Sequence, residues 1–481
     1  MTGLAALARS AGFSAPDRDR EITGVTDDSR LVECGTLFVA HRGVHADGHE
    51  FIPEALARGA AALVTERPCA ADVPTWIVAD GRAALGAWAA AYYEHPTRRL
   101  LTFGVTGTNG KTSVCHFIAH LLGQEEAAVL GTVANFSRGL RALTTPSSPV
   151  VQEFARQAVD QGCRYLVVEA SSIGLVQHRL DEVDFRIGVF TNLTRDHLDL
   201  HHTMDAYGDA KAILFRGLPS EGTSVLNADD AFSGTLRSAT RSKVLTYGVH
   251  STADLTAKAE AEDRFGIAAK IEWRGESAHV FLPLHGSHGI SNALAACGAA
   301  LAAGRLFPDV VRRLETLPPV LGRWQTFARG EVDSVVDFAH TPDGLAQVLG
   351  PLRRLYPHVV VVFGCAGGSD RGKRPEMGEI AGRLADLVVL TTDNPKQEDP
   401  EEIAQEIARG VARTDAECTR ILDRNEAIAE AVARTPAGGV VLLAGKGHET
   451  YQIVRGAFVP HSDVATLEAL GFRPLSPKKA P

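Results

Sequence analysis

Phe103-Gly104-Val105-Thr106-Gly107-Thr108-Asn109-Gly110-Lys111-Thr112-Ser113 is the stretch that decides how the chain folds. An apolar, β-prone run, Leu100 to Phe103, precedes it. After it come Val114, Phe117, Ile118, Leu121 and Leu122, spaced i, i+3, i+4, i+7 and i+8, which predicts an amphipathic helix. Strand, glycine-rich turn and helix start together make a phosphate cradle. Glycines let the backbone approach the anion, loop N–H groups point at it, and Lys111 adds a positive charge. Thr112 is placed to put a hydroxyl on Mg²⁺. The usual P-loop formula wants glycine where Val105 stands, with glycines here at 104 and 107 instead. An ordinary glycine-rich turn is the bland alternative, and Gly-Lys-Thr after a strand favours nucleotide binding over it.

At 481 residues the chain exceeds one hydrophobic core, and its length suggests about three domains. Hydrophobic residues make up 45% and charged residues 22%, an ordinary globular balance. A net charge of −9 argues against a nucleic-acid partner. Seven cysteines are scattered without CxxC pairs, so neither a disulfide framework nor a zinc site is expected. Arg9 and the Asp17-Arg18-Asp19-Arg20 run break the N-terminal apolar stretches, and no apolar run approaches the ~18 residues of a membrane span. These features predict a cytoplasmic protein without membrane insertion.

The predicted architecture is α/β with three units. Residues 1–98 hold short strands near 22–25, 36–40, 61–65 and 76–78, with helices over 51–58 and 82–93, and His95-Pro96 marks a linker. Residues 99–322 carry the glycine loop, apolar strands of buried parallel type at 165–169 and 187–191, short alternating strands within 250–290, and an alanine-rich helix over 292–303. Leu317-Pro318-Pro319 opens the second linker. Residues 323–481 alternate strands (335–338, 359–363, 387–390, 440–444) with helical stretches, a doubly wound, Rossmann-like pattern without GxGxxG. No internal repeat is evident.

Glu169 ends one predicted parallel strand and His197 sits just past the next, at the end where such sheets bind ligands. A carboxylate, nucleotide phosphates and one imidazole suit an oxygen-preferring Mg²⁺ ion that keeps several waters. Alone, His197 would read as a core or capping histidine and Lys211 as a surface lysine.

Taken in order, Gly107 to Thr112, Glu169-Ala170-Ser171-Ser172, Asn192 to Asp199, Lys211, Asn227 to Asp230, Asp337 to Pro342, Lys373-Arg374-Pro375, Asp393-Asn394-Pro395 and Gly445 to Glu449 resemble the Mur ligases over nearly the whole chain. Within that family they resemble the MurE type, which adds the third residue of the peptidoglycan stem peptide. The resemblance implies an N-terminal UDP-binding domain, a central ATPase domain and a C-terminal amino-acid-binding domain. It implies that Gly107, Thr108, Asn109, Gly110, Lys111, Thr112 and Ser113 hold ATP, with Asn292 and Asp337 near the adenosine. Thr112, Glu169, His197 and Lys211 would serve the metal, Lys211 as a carbamate formed with CO₂. Ser29, His45 and Ala46 would form the uridine pocket. Thr144, Thr145, Ser171, Gln177 and Arg179 would hold the UDP-sugar-dipeptide. Asp393, Asn394, Pro395, Lys396, Gly445 and Glu449 would receive the incoming amino acid. The implied activity is an ATP-dependent carboxylate–amine ligation through an acyl phosphate, joining a diamino acid to UDP-MurNAc-L-Ala-D-Glu, by a monomer.

The chain departs from the family at Leu143, where Asn is frequent, at Ile173, where His is usual, and over Gly286 to Ile290. Two arginines that mark members using meso-diaminopimelate are replaced by Lys396 and Ser369. A guanidinium fork binds a carboxylate bidentately, whereas lysine offers a point charge. The expectation therefore leans to L-lysine or L-ornithine, with Lys396 or Arg371 left as possible carboxylate partners. Lys396 itself would repel a bare ammonium unless it turned away or paired with Glu398 or Asp399. A folylpolyglutamate synthetase on the same scaffold is the alternative enzyme, and a P-loop nucleotide switch the alternative class.

Overall fold

A computed structural model describes residues 2–43, 46–137, 139 and 143–475. Three α/β domains follow one another along the chain, each built on its own sheet. The first sheet is wholly parallel, with strands Gly24–Thr26, Thr36–Ala40, Ala62–Thr65 and Thr75–Ile77 in that spatial order. Helix Gly81–Tyr92 packs on it, its first turn closed by the Asp80 carboxylate, which accepts from the Arg82 and Ala83 N–H groups. Trp88 is fully buried there and stacks on Phe13.

Nine strands form the central sheet. From one edge they run Ala127–Leu130, Tyr165–Glu169, Leu101–Thr106, Phe185–Phe190, Thr223–Asn227, Lys243–Gly248, Leu255–Asp263, Gly266–Trp273 and Glu276–Leu282. The first seven are parallel and the last two antiparallel. Chain order reverses around Leu101–Thr106: the next strands in sequence go to one side, and Phe185–Phe190 pairs on the other. Such a switch point leaves a crevice at the carboxyl ends of the strands, which is where the glycine loop lies. The expected helix after the loop forms over Lys111–Leu122 and buries Val114, Phe117, Ile118, Leu121 and Leu122. The alternating strands expected within 250–290 are the antiparallel extension of this sheet.

Seven strands form the third sheet, in the order Glu417–Arg420, Leu387–Leu390, Val359–Phe363, Val440–Ala444, Val332–Asp337, Gln325–Arg329 and Arg473–Pro474. The first five are parallel, and their apolar cores, such as Val359 to Phe363, are buried on both faces. One element differs from expectation. The alanine-rich helix runs Gly286–Ala302, starting six residues before Asn292. Gly286 has φ 67°, a conformation glycine adopts without strain, so the helix opens inside a stretch with weak helix propensity. Among the described residues no helix is long and apolar enough to cross a membrane.

Candidate functional site

A cavity of about 680 Å³ opens at the carboxyl edge of Leu101–Thr106 and is roofed by the third domain. The phosphate loop forms its floor. Gly107 has φ 149° and Gly110 φ 86°; a Cβ on Gly107 would stand 1.8 Å from Thr191 Oγ1, and one on Gly110 2.4 Å from Asn292 Oδ1. Only glycine fits at these two positions, and the second fixes Asn292 against the loop. Lys111 Nζ donates to the Gly107 and Thr108 carbonyls at 3.0 and 2.8 Å, which curls the side chain over the loop it must serve.

Glu169, almost fully buried, closes the floor. It accepts from Thr112 Oγ1 at 3.1 Å, from the Thr132 N–H at 2.8 Å and from Thr132 Oγ1 at 3.2 Å. Burial raises its carboxyl while Lys111 and Arg323 pull the other way. A Cβ on Gly131 would reach 2.2 Å from Glu169 Oε1, so a glycine is needed where the chain passes this close to the carboxylate. His197 stands across the cavity in a left-handed conformation, φ 53°, and burial holds its imidazole in the neutral, ligating form at neutral pH. Among the described residues no three His, Cys, Asp or Glu side chains converge into a self-sufficient metal nest. Glu169, Thr112 and His197 are a hard-oxygen and imidazole set of the kind that completes a shell with nucleotide phosphates and waters, which fits Mg²⁺.

Lys211 is not the surface residue its sequence context suggests. It is 1% exposed on helix Met204–Gly217, its Nζ lies 3.9 Å from the Tyr207 ring centroid, and among the described residues no carboxylate comes within 4.0 Å. Burial, with Lys111 nearby, holds this amine well below the ordinary lysine range.

The residues assigned to the sugar-dipeptide form one network. Thr145 Oγ1 donates to the Glu169 carbonyl at 2.7 Å and meets Ser171 Oγ at 2.9 Å. Arg179 donates to the Thr145 carbonyl and to Gln177 Oε1, both at 2.6 Å. Thr132 Oγ1 and Thr144 Oγ1 meet at 3.2 Å. In the first domain Ser29 is buried and donates to Glu54 Oε2 at 3.0 Å. Ala46 is exposed, its carbonyl accepting from the Gly43 N–H, and His45 lies outside the described residues.

The third domain supplies the roof. Asp337 accepts from the Trp324 and Ala339 N–H groups at 2.8 Å each. Sequence reasoning missed Arg323, whose Nη2 donates to Thr112 Oγ1 at 3.1 Å and whose guanidinium lies 4.6 Å from the Phe338 ring. It missed Trp324 too, which stacks on His285 at 4.6 Å beside Asn292's helix. Their only signal is Gly322-Arg323-Trp324 immediately after the proline linker.

At the amino-acid end several charged groups already have partners. Glu449 is not a vacant acceptor: fully buried Lys446 donates to it at 2.5 Å and to Asn394 Oδ1 at 2.9 Å, and Asn394 Nδ2 donates to the same carboxylate. Asp393 stands 3.8 Å from Lys446, so two carboxylates share this lysine, with the Arg424 guanidinium also acting on both. Lys396 pairs with neither Glu398 nor Asp399. Glu398 is held by buried Arg374, and Asp399 caps helix Pro400–Val411. Among the described residues no carboxylate lies within 4.0 Å of Lys396. Arg371 is taken by Glu406, and Ser369 Oγ turns back to the Ala366 carbonyl.

Family models match all three domains: "Mur ligase family, catalytic domain" over 21–93, "Mur ligase middle domain" over 105–300, and "Mur ligase, glutamate ligase domain" over 322–447. A relative from Geobacillus kaustophilus (strain HTA426), named UDP-N-acetylmuramoyl-L-alanyl-D-glutamate--2,6-diaminopimelate ligase, is 40% identical over 93% of this chain and 94% of its own. One of the same name from Chlorobaculum tepidum is 41% identical over 97% and 96%. A solved structure with that title superposes with TM-score 0.68 at 34% identity, covering 96% of this chain and 98% of its own. With the phosphate loop, its carboxylate and the roof assembled around one cavity, these similarities establish that the chain belongs to the Mur ligase family.

Proposed function

We propose that the protein joins a diamino acid to the D-Glu side-chain carboxylate of UDP-MurNAc-L-Ala-D-Glu, at the expense of ATP, in peptidoglycan synthesis. One observation carries this reading: the phosphate loop, Glu169 and the Thr145–Ser171–Arg179 network are joined by direct hydrogen bonds, so a carboxylate held by the network faces the phosphate end of the nucleotide cavity.

In this reading Arg179, Thr145 and Ser171 hold the substrate, and its carboxylate oxygen attacks the γ-phosphorus of ATP to give an acyl phosphate and ADP. Lys111 and Arg323 offset the charge that develops on the phosphoryl oxygens. Glu169, Thr112, His197 and a carbamate on Lys211 would hold Mg²⁺, which supplies electrostatic stabilisation of the phosphates. Lys211 suits carbamylation because a buried neutral amine is a nucleophile for CO₂, and the product anion converts an unpaired base into an oxygen donor. The incoming α-amine then attacks the acyl carbon and phosphate leaves. Closure of the third domain keeps water from the acyl phosphate.

The two carboxylates that share Lys446, Asp393 and Glu449, favour a side chain that ends in an ammonium. Two guanidinium groups near this end, Arg371 and Arg374, are already engaged by carboxylates, which supports L-lysine or L-ornithine. The second reading is meso-diaminopimelate. The relatives' names favour it, as does Lys396, a cation with no acidic partner among the described residues. The test is kcat/KM for the three amino acids. Efficient use of meso-diaminopimelate with negligible use of the other two would establish the second reading, and turnover of none would reject both.

A further inference from the structure

Phe136 crosses the seam between the central and third domains. It stands on the short helix Thr132–Ser137, and that helix is anchored on both sides of the reaction centre. At its start the Thr132 N–H donates to Glu169 at 2.8 Å. One turn on, Asn135 Nδ2 donates to the Leu143 and Thr144 carbonyls at 2.7 and 3.1 Å, next to the Thr145 network. The Phe136 ring itself points away from these anchors into the third domain. It meets His448 edge-on, with centroids 5.4 Å apart and planes at 87°, and lies nearly parallel to Tyr451 at 6.3 Å.

His448 belongs to the loop that carries Lys446 and Glu449. It packs in turn on Phe338, the ring beneath the Arg323 guanidinium, at 5.2 Å. The same loop is pressed against the interdomain linker, since a Cβ on Gly322 would stand 2.2 Å from the His448 backbone nitrogen. A single aromatic side chain therefore links the helix bonded to Glu169 with the loop at the amino-acid end, at the point where the third domain meets its hinge. Phe136 does not line the nucleotide cavity.

We infer that Phe136 is a positioning residue that couples amide formation to domain closure: its ring holds the His448 loop over the acyl phosphate and seals the seam against water. The inference rests on the ligase reading above. An acyl phosphate has two fates. The amine attacks the carbonyl carbon, the carbon–oxygen bond to phosphate breaks, phosphate leaves with the bonding pair, and the nitrogen loses a proton to give the amide. Alternatively water attacks the same carbon and the same bond breaks. The carboxylate then re-forms, and the net reaction is ATP hydrolysis. Removing the ring should shift the partition toward water while leaving the first phosphoryl transfer in place.

The experiment measures phosphate released per nucleotide-tripeptide formed. It uses UDP-MurNAc-L-Ala-D-Glu with whichever of L-lysine, L-ornithine or meso-diaminopimelate the wild type turns over fastest. Wild type gives a ratio near one. Edge-on and stacked ring contacts of this size correspond to about a threefold to tenfold change, so Phe136→Ala raises the ratio and the amino-acid KM by that factor with the ATP KM unchanged. Phe136→Tyr, which keeps the ring, returns the ratio to near one. A Phe136→Ala enzyme that is slower but still releases one phosphate per product overturns the inference, because a merely structural role lowers both rates together. Equal uncoupling in Phe136→Tyr overturns it too. Wild type that forms no product overturns the ligase reading, and this inference with it.

Discussion

Replacing Arg323 with alanine should remove most of the phosphoryl-transfer rate while leaving the fold in place. The guanidinium donates to Thr112 Oγ1 at 3.1 Å, and that hydroxyl donates to Glu169 at 3.1 Å, so one side chain orders the loop end and the carboxylate together. A hydrogen bond from a charged donor contributes about 1.5 to 3 kcal/mol. The contact over Phe338, 4.6 Å from the ring, adds about 1 to 2 kcal/mol. Burial already pulls the Arg323 pKa down, and Asp337, Glu169 and Glu449 hold the charge in place. Without Arg323, Glu169 loses one of the cations that pull its carboxyl down, and that carboxyl rises further. Loss of a preorganised donor aimed at developing charge costs about 2.7 to 4 kcal/mol, a hundredfold to thousandfold fall in kcat. Lysine should restore little of it, because a point charge does not reproduce the fork that spans Thr112 and the Gly322 carbonyl. The assay is ADP release at saturating substrates, with the thermal midpoint measured alongside. A folded Arg323→Ala enzyme with kcat within threefold of wild type would refute the placement of Arg323 at the transferring phosphate.

Three further outcomes are expected. Lys111→Ala should abolish ligation in a protein with unchanged circular dichroism, and near-normal phosphate release from it would remove Lys111 from the phosphate site. Lys211→Ala should be severely impaired and unresponsive to high bicarbonate, with partial recovery in formate; a wild-type rate would return Lys211 to a packing role. His448 carries the pH prediction. Burial, with Arg323 and Lys446 beside it, lowers its imidazole to about 3, against about 6.5 unfolded. The unfolded chain therefore binds the extra proton below pH 6.5, so this stability is fully present above that pH and drains away as pH falls. The loss reaches about 2 kcal/mol at pH 5. In His448→Gln the difference in denaturant stability between pH 8 and pH 5 should shrink by that amount, and an unchanged difference would contradict the burial assigned to His448.

The parts of the fold that were legible in the sequence are those with strong local signals. Val359 to Phe363 reads as a strand because a run of β-branched residues suits a sheet buried on both faces, and it is one. The loop and its helix were legible because phosphate binding needs contiguous residues. The helix from Gly286 was not fully legible: its first turn, Gly-Ser-His-Gly, has poor helix propensity and forms through packing against the central sheet. The same distinction holds in the site. Glu169 ends one apolar strand and His197 follows the next, so topology alone brings them to the loop. Arg323 and Trp324 reach it, and Phe136 reaches the His448 loop, only where one domain meets another, and a lone arginine or aromatic has no periodic signature. Nor does a sequence tell which carboxylates are already paired. Lys446 and Glu449 are three residues apart in an irregular loop, and only the backbone turn at Gly445 and Gly447, φ 101° and 51°, brings them together.

The most direct test of the whole account is phosphate release measured with ATP and Mg²⁺, first with neither partner, then with UDP-MurNAc-L-Ala-D-Glu or the diamino acid alone, then with both, while the nucleotide product is followed by mass spectrometry. The account predicts rapid release only with both, one phosphate per product, and a product heavier than the dipeptide nucleotide by one amino-acid residue. Phosphate release at the same rate without the dipeptide nucleotide, or with no gain in its mass, would contradict it.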